Sequence, residues 1–327
     1  MKKILLVLAC VFGMSITAFS ESVVFLQHGG NITSFKADQI NDALAAAVNG
    51  DIIYLSEGTY PGFIIDKQIS IKGTGQQTHI NGDIVIQNAD NVTLTGVFIG
   101  YLEMKKISVK TAVNNLRVSQ CKIASTEFLA ITENAHFEKC NIEELYVGQT
   151  YTQTVTVDGS TKKYVLPYIK GLVLTNSICS HYKQLNTERI VSNVSFINSY
   201  INGFSIGGSG NTYYHVLGTT FINSILNSNW SNSWSNIKLI NSSVTISDKV
   251  NTSDSEISNR YDEKITDYSA ANITAKGYLG NDGTIIGPFG GSSPYTLIPT
   301  TPRVSESTLA VDPDKKELKL TLKVSPK

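Results

Sequence analysis

The sequence predicts an all-β protein whose main part is a right-handed parallel β-helix, a solenoid of stacked coils. One short phrase recurs at a spacing close to the length of a coil, and within it apolar and polar residues alternate as on a strand with one buried face. The clearest copies are residues 116–123, 137–142, 174–179, 196–201, 221–226 and 239–244. Residues 92–99 and, more loosely, 69–74 fit the same frame.

One position of this phrase, here called the anchor, aligns the coils. The anchors are Thr74, Val97, Cys121, Cys140, Ser177, Ser199, Ser224 and Ser242, which lie 18 to 25 residues apart except for one gap of 37. The apolar residues that stand three positions before and two positions after each anchor should point inward. The residue before the anchor is asparagine in four coils. Asparagine tolerates left-handed backbone angles, so we expect a corner there, with stacked asparagines able to hydrogen-bond to one another.

The long gap predicts a hairpin insertion near residues 151–166. Two β-rich runs flank Asp158-Gly159, and Asp-Gly between such runs is a strong hairpin signal. The hairpin, or an irregular coil that carries it, accounts for the extra length.

The first 20 residues are typical of a secretory signal peptide, with Lys2 and Lys3 before an apolar stretch and Ala18-Phe19-Ser20 at its end. We therefore expect export to the periplasm, the cell surface or the medium. A lipoprotein signal at Cys10 is the alternative. No other segment approaches the roughly 20 apolar residues that span a bilayer, so no transmembrane segment is predicted.

Both ends of the solenoid have predicted covers. In residues 21–50, Ala37, Ile40, Leu44 and Val48 fall on one face of a helix that ends at Asn49-Gly50, and an amphipathic helix would seal the first coil. The β-helix should occupy 51–250. Residues 251–327 predict an irregular segment followed by a terminal hairpin, in which Leu318, Leu320, Leu322 and Val324 alternate with polar residues.

This organisation resembles the pectin-lyase-like right-handed β-helix superfamily over about residues 35 to 250. A helix followed by phrases like 50–60 and 69–75 is a common opening there. Residues 280–291 look like a tail segment of secreted Bacteroidota proteins. The resemblance implies the fold and not an activity.

Charge and cysteine content narrow the function classes. Without Lys2 and Lys3, the chain has 25 basic and 27 acidic residues. This near-neutral charge does not predict a basic surface that would bind nucleic acid. The cysteines outside the signal peptide, Cys121, Cys140 and Cys179, lack ligand spacing, so neither a metal nor another cofactor is predicted. Cys121 and Cys140 both occupy the anchor position, on neighbouring coils. They could form a disulfide or fill the corner as two small, unbonded side chains.

The alignment places Arg117, His136 and Glu138 in one exterior patch, with Lys122 and Asn141 near its edge. A cation beside an acid and an imidazole could serve uronide elimination or glycoside hydrolysis, and these three residues are the candidate catalytic set. A solvated surface ion pair is the simpler interpretation. The chain lacks the aspartate and Gly-His-Gly pattern of polygalacturonases and the calcium cluster of pectate lyases, so no family catalytic residue carries over.

Two further features could recognise a ligand. Tyr213, Tyr214, Trp230 and Trp234 follow the anchors of adjacent coils amid Asn and Ser, and flat aromatic faces suit sugar rings, although they could also pack under their own loops. An outward apolar column, Ile197, Ile222 and Ile240, predicts a cover by the hairpin or the C-terminal segment, or a partner protein.

The function we predict is an exported, non-catalytic β-helix scaffold at the cell surface or secreted, with a polysaccharide or cell-surface glycan as partner. The alternative is a divergent polysaccharide lyase or glycoside hydrolase that acts at the Arg117 patch or beside the aromatic loops.

Overall fold

The chain folds as a parallel β-solenoid, which confirms the predicted fold class. The computed structural model describes residues 22–100, 106–147, 152–157, 160–165, 169–185, 193–203, 205–207, 219–227, 237–245, 256–299, 303–312 and 317–325. The predicted signal peptide, residues 1–20, lies outside them.

Sheet 1 contains the strands that lead into each predicted corner. Neighbouring coils pair in parallel and in register, so that Val118 lies between Leu94 and Phe137 and all three point into the core. The strands of sheet 1 are Ile52–Leu55, Ser70–Lys72, Thr93–Thr95, Arg117–Ser119, His136–Glu138, Val173–Thr175, Ser195–Ile197, Thr219–Ile222, the first part of Ile237–Val244, and Glu256–Tyr261.

Sheet 2 follows the corner, and a short sheet 3 lies further along three of the coils. The strands of sheet 2 are Gly58–Ile65, Thr78–Ile86, Phe98–Ile99 with Lys106–Val109, Lys122–Phe128, Asn141–Val147, Ile178–Leu185, Tyr200–Asn202 with Ser205–Gly207, Ile225–Asn227, and the end of Ile237–Val244. Sheet 3 pairs Val113–Asn114, Thr132–Glu133 and Ile169–Lys170.

The corner between sheets 1 and 2 is left-handed in the backbone, as the asparagines predict. Asn176, Asn198, Asn223 and Asn241 have φ values of 44° to 50°. The expected bonding between stacked asparagines is seen where Asn259 donates to Asn241 over 2.8 Å. Asn176 and Asn223 instead donate to the C-terminal segment, because that segment lies against the corner.

A ladder of buried serine hydroxyls runs beside this corner. The Oγ of Ser199 accepts the backbone N–H of Ser177 at 3.2 Å and donates to the carbonyl of Ile197 at 2.9 Å. Ser224 and Ser242 repeat both bonds in the next coils. The anchor serines therefore satisfy backbone N–H groups that the turn removes from the strand pairing, a role beyond filling space.

The N-terminal cap combines a hairpin with the predicted helix. Strands Val23–His28 and Asn31–Lys36 pair antiparallel, and the first also pairs with Ile52–Leu55. A 3-10 turn, Ala37–Gln39, leads into the α-helix Ile40–Ala46, which buries Ile40, Ala43 and Leu44. The prediction was wrong for Val48, which follows the end of the helix and is 48% exposed.

Two further antiparallel pairs occur at the positions where the sequence suggests hairpins. Thr152–Val157 pairs with Ser160–Val165 on the two sides of Asp158-Gly159. Near the C-terminus, Arg303–Asp312 pairs with Glu317–Ser325.

Residues 262–299, here called the strap, return along the solenoid toward its N-terminal coils. Near its start, the carbonyls of Glu263 and Ile265 accept hydrogen bonds from Ser243 and Asn227. Further along, Asn281 bonds to Asn223, and the carbonyls of Pro288 and Gly290 accept from Asn176. Its last described part reaches the coil of Gln120, whose amide donates to the carbonyl of Ile298. The strap carries one short helix, Ala270–Lys276.

An apolar cluster attaches the strap to the outside of sheet 2. The residues just after three anchors, Ile178, Tyr200 and Ile225, point outward and are buried against the strap. The strap contributes Ile265, Ile273 and Ile286, with Tyr268, Tyr278, Ile285 and Tyr295 packed around them. The apolar column that the sequence analysis singled out, Ile197, Ile222 and Ile240, is not part of this cluster and is half-buried.

Candidate functional site

The structure brings Arg117, His136 and Glu138 together on the outer face of sheet 1. Arg117 lies directly beside His136 on the neighbouring strand, and Glu138 lies beside Ser119. Arg117 is exposed, whereas His136 and Glu138 are half-buried. The Nε2 of His136 lies 3.0 Å from the Oγ1 of Thr175 on the next strand. Among the described residues, Arg117 and Glu138 form no ion pair.

Lys122 and Asn141 do not border this patch as expected. They follow the corner and belong to sheet 2, where their side chains face another side of the solenoid. The left-handed corner residues Gln120 and Lys139 turn the chain between the two positions. The predicted edge of the patch is therefore part of a different surface.

Burial lowers the pKa of His136, and the charge of Arg117 acts in the same direction, while Glu138 opposes them. The fold thus favours the neutral imidazole. This contribution to stability is complete above the unfolded pKa of about 6.5 and is lost as the pH falls through the lower, folded value.

We expect the free energy of unfolding of the wild type to fall more than that of His136→Gln between about pH 7.5 and pH 5.5. Glutamine keeps a hydrogen-bonding side chain near Thr175 but does not titrate. Urea unfolding at both pH values measures the difference. Equal losses in the two proteins would show that His136 titrates alike in the folded and unfolded chains.

The aromatic candidates Tyr213, Tyr214, Trp230 and Trp234 lie outside the described residues. The candidate cysteine pair is described, and Cys121, Cys140 and Cys179 are free and buried. Burial raises the pKa of Cys121 to about 12 and raises that of Cys140, so both thiols stay protonated. Protonated, buried thiols fill the anchor column and offer no nucleophile.

A groove of about 450 Å³ lies on the outer face of sheet 2, and sequence reasoning did not find it. Its lining comes from strands of successive coils and exposes polar and apolar surface in about equal parts. The lining residues are Phe98, Gly100, Lys122, Ile123, Ala124, Asn141, Glu143, Ser180, His181 and Asn202. Simple alternation in the sequence does not mark these positions, because Glu143 and Glu144, for example, follow one another on the outside of their strand.

The charged groups of the groove are available to a ligand. The ammonium of Lys122 lies over the ring of Phe98, 4.8 Å from its centroid. Glu143 and His181 are exposed, and none of the three forms an ion pair with another described residue. A β-carbon at position 203 would lie 3.0 Å from the His181 ring. Because Gly203 has no side chain, the imidazole can occupy this position.

One side of the groove is bordered by the strap. The side chain of Asn141 lies near Tyr295 of the strap and lowers the pKa of its phenol, but burial outweighs this and raises the pKa to about 12. The phenol therefore stays neutral. Asn141 is the lining residue at which the groove meets the strap.

The other side is flanked by a network of paired charges. Lys183 lies 3.0 Å from Glu144 and 3.2 Å from the hydroxyl of Tyr146, which in turn donates to Glu144. Partial burial opposes ionisation of Glu144, but these bonds outweigh it and hold its pKa below the usual value. Lys106 pairs with Glu127 at 2.6 Å.

The described residues contain no group of three or more histidine, cysteine, aspartate or glutamate side chains placed to hold a metal ion. None of the helices in the described ranges is long and apolar enough to cross a membrane. No protein-family model, curated protein or solved structure matches this sequence.

Proposed function

We propose that the protein is an exported, non-catalytic β-helix scaffold, secreted or held at the cell surface as an adhesin-like protein, that binds glycan through the groove on sheet 2. The groove carries this proposal, because amide, hydroxyl and charged side chains line it and the charged ones form no ion pair with another described residue. Such groups fix the orientation of a hydroxyl-rich ligand.

Membership of the pectin-lyase-like superfamily and an origin in the Bacteroidota belong to the same proposal. The parallel solenoid with its helical cap supports membership of the superfamily. The sequence phrases at 50–60 and 69–75 support it too, and the phrase at 280–291 supports the origin. The signal-peptide pattern of residues 1–20 supports export.

The non-catalytic assignment is supported by the carboxylates near the groove. Glycoside hydrolases generally use two carboxyl groups across the scissile bond. Glu143 is the one carboxylate among the groove's lining residues, and the neighbouring Glu144 is engaged by Tyr146 and Lys183. The alternative remains a divergent polysaccharide lyase or glycoside hydrolase.

Glycan binding by the chain from residue 21 should weaken about tenfold in Asn202→Ala, the effect of one lost hydrogen bond of about 1.4 kcal/mol. Arg117→Ala is the matched control on sheet 1 and should bind as the wild type does. A glycan array followed by calorimetry on its best ligand provides the measurement.

The reverse pattern would move the site to the sheet 1 patch. Absence of any glycan binding would contradict the proposal. New reducing ends or unsaturated uronate in the same samples would favour the enzymatic alternative.

A further inference from the structure

The groove is long in one direction, along the axis of the solenoid. Its lining residues come from the strands of Phe98, Lys122, Asn141, Ser180 and Asn202, which follow one another in sheet 2. Five adjacent strands about 4.8 Å apart extend over about 19 Å. A groove of this shape suits an extended chain more than a single compact molecule.

The groove is bordered on both long sides, which fixes the direction of such a chain. The strap meets the groove where its Tyr295 lies near the lining residue Asn141. The ion-pair network of Glu144, Tyr146 and Lys183 flanks the opposite side. A ligand that lies across the strands would contact both borders, whereas one parallel to the axis meets neither of them.

Three successive coils of the groove offer polar groups at the strand spacing, with Asn141 and Glu143 on one strand and Ser180 and Asn202 on the next two. Asn141, Glu143, Ser180 and Asn202 supply both donors and acceptors along the groove. The repeat of an extended chain of pyranose rings is close to the distance between neighbouring strands. Each ring can therefore meet the side chains of about one coil.

Charge in and around the groove disfavours a polyanion. Lys122 is balanced by Glu143 within the lining. Two described lysines that flank the groove, Lys106 and Lys183, are already paired with Glu127 and Glu144. Among the described residues, a chain with a carboxylate on every ring would find few partners for its charges, and desolvated unpaired charges are costly.

We infer that the groove binds an uncharged linear oligosaccharide segment parallel to the solenoid axis, with about one sugar ring per coil. The inference rests on the proposed glycan-binding function and adds the class and direction of the ligand. Recognition comes from hydroxyl groups bonded to the amides, Ser180 and Glu143, rather than from ion pairing.

The test is calorimetry of the chain from residue 21 with manno-, xylo-, cello- and laminari-oligosaccharides of two to six units, and with oligogalacturonides of the same lengths. At least one neutral series should gain affinity with each unit up to about five and then level off, since five strands of the groove each meet about one ring. Raising NaCl from about 0.05 M to 0.5 M should change this affinity less than twofold, because no net charge is neutralised.

Two variants test one end of the groove and the role of the Lys122 charge in binding. Asn202→Ala should remove the gain from the longest effective unit, because Asn202 lies on the last strand of the groove. Lys122→Gln should bind neutral oligosaccharides within about threefold of the wild type, since no ion pair is lost. Lys170→Gln, on the exposed side of sheet 3, is the control.

The possible results separate the two proposals. Tighter, salt-sensitive binding of oligogalacturonides that is lost in Lys122→Gln would overturn the inference but keep glycan binding in the groove. Affinity that stops rising at the disaccharide would overturn the axial direction. No binding of any neutral or acidic series would overturn the inference and count against the proposed function itself.

Discussion

Replacement of Ile286 by aspartate is expected to detach the strap from sheet 2. Ile286 is 1% exposed and packs in the cluster formed with Ile178, Tyr200 and Ile225. An unpaired carboxylate in this apolar cluster would cost several kcal/mol. The strap has one seven-residue helix and little other regular structure, so it cannot stay folded alone.

Limited proteolysis with mass spectrometry of the fragments measures the result. Cleavage of Ile286→Asp should concentrate within residues 262–299 and proceed at least tenfold faster than in the wild type, and the unfolding midpoint should fall. Ile298→Asp is the control in the same strap, because Ile298 is 41% exposed and contributes its backbone carbonyl to Gln120. Equal sensitivity of the two variants would contradict the cluster as the attachment.

Ser199→Ala should destabilise the protein by about 1–3 kcal/mol, far more than a typical serine substitution on an outer face. Alanine removes the acceptor of the Ser177 N–H and leaves this donor buried without a partner. It also removes the donor to the Ile197 carbonyl. The free energy of unfolding in urea, measured at constant pH, reports the loss.

Two other variants isolate the hydrogen bonds from the change in volume. Ser195→Ala lies in the same coil on the outer face of sheet 1 and should change stability by less than about 0.5 kcal/mol. The free energy of unfolding of Ser199→Cys should lie between those of Ser199→Ala and Ser195→Ala. A thiol can donate to the carbonyl two residues before, as Cys121 does at 3.2 Å, but it accepts weakly. A cysteine variant less stable than the alanine variant would count against this account.

The solenoid was predictable from sequence because its causes are periodic. Inward residues such as Leu174 and Phe196 recur at a fixed distance from the anchor, and a coil cannot shift by one residue without exposing them. The asparagine corner was predictable for a related reason, since few residues adopt positive φ easily. The same alignment brought Arg117 beside His136.

The strap was not predictable because its contacts leave no periodic pattern. Several of its partners in the solenoid bond to its backbone carbonyls, which any residue could supply. The signal that existed was the outward column after the anchors, Ile178, Tyr200 and Ile225. The groove escaped prediction because its residues lie on both sides of bends within sheet 2, where simple alternation fails. In strand Asn141–Val147, for example, Glu143 and Glu144 follow one another on the outside.

The strap limits how this solenoid can lengthen by internal duplication. The pairs Asn198-Ser199 and Asn223-Ser224 are chemically interchangeable, so a duplicated coil would stack on its neighbours without new contacts. The strap has no such repeat, and its Asn281 contacts Asn223 while its Ile298 contacts Gln120. A coil inserted between these partners would move them apart by one strand spacing, about 4.8 Å. New coils are therefore tolerated outside the stretch that the strap covers, or together with a matching insertion in the strap.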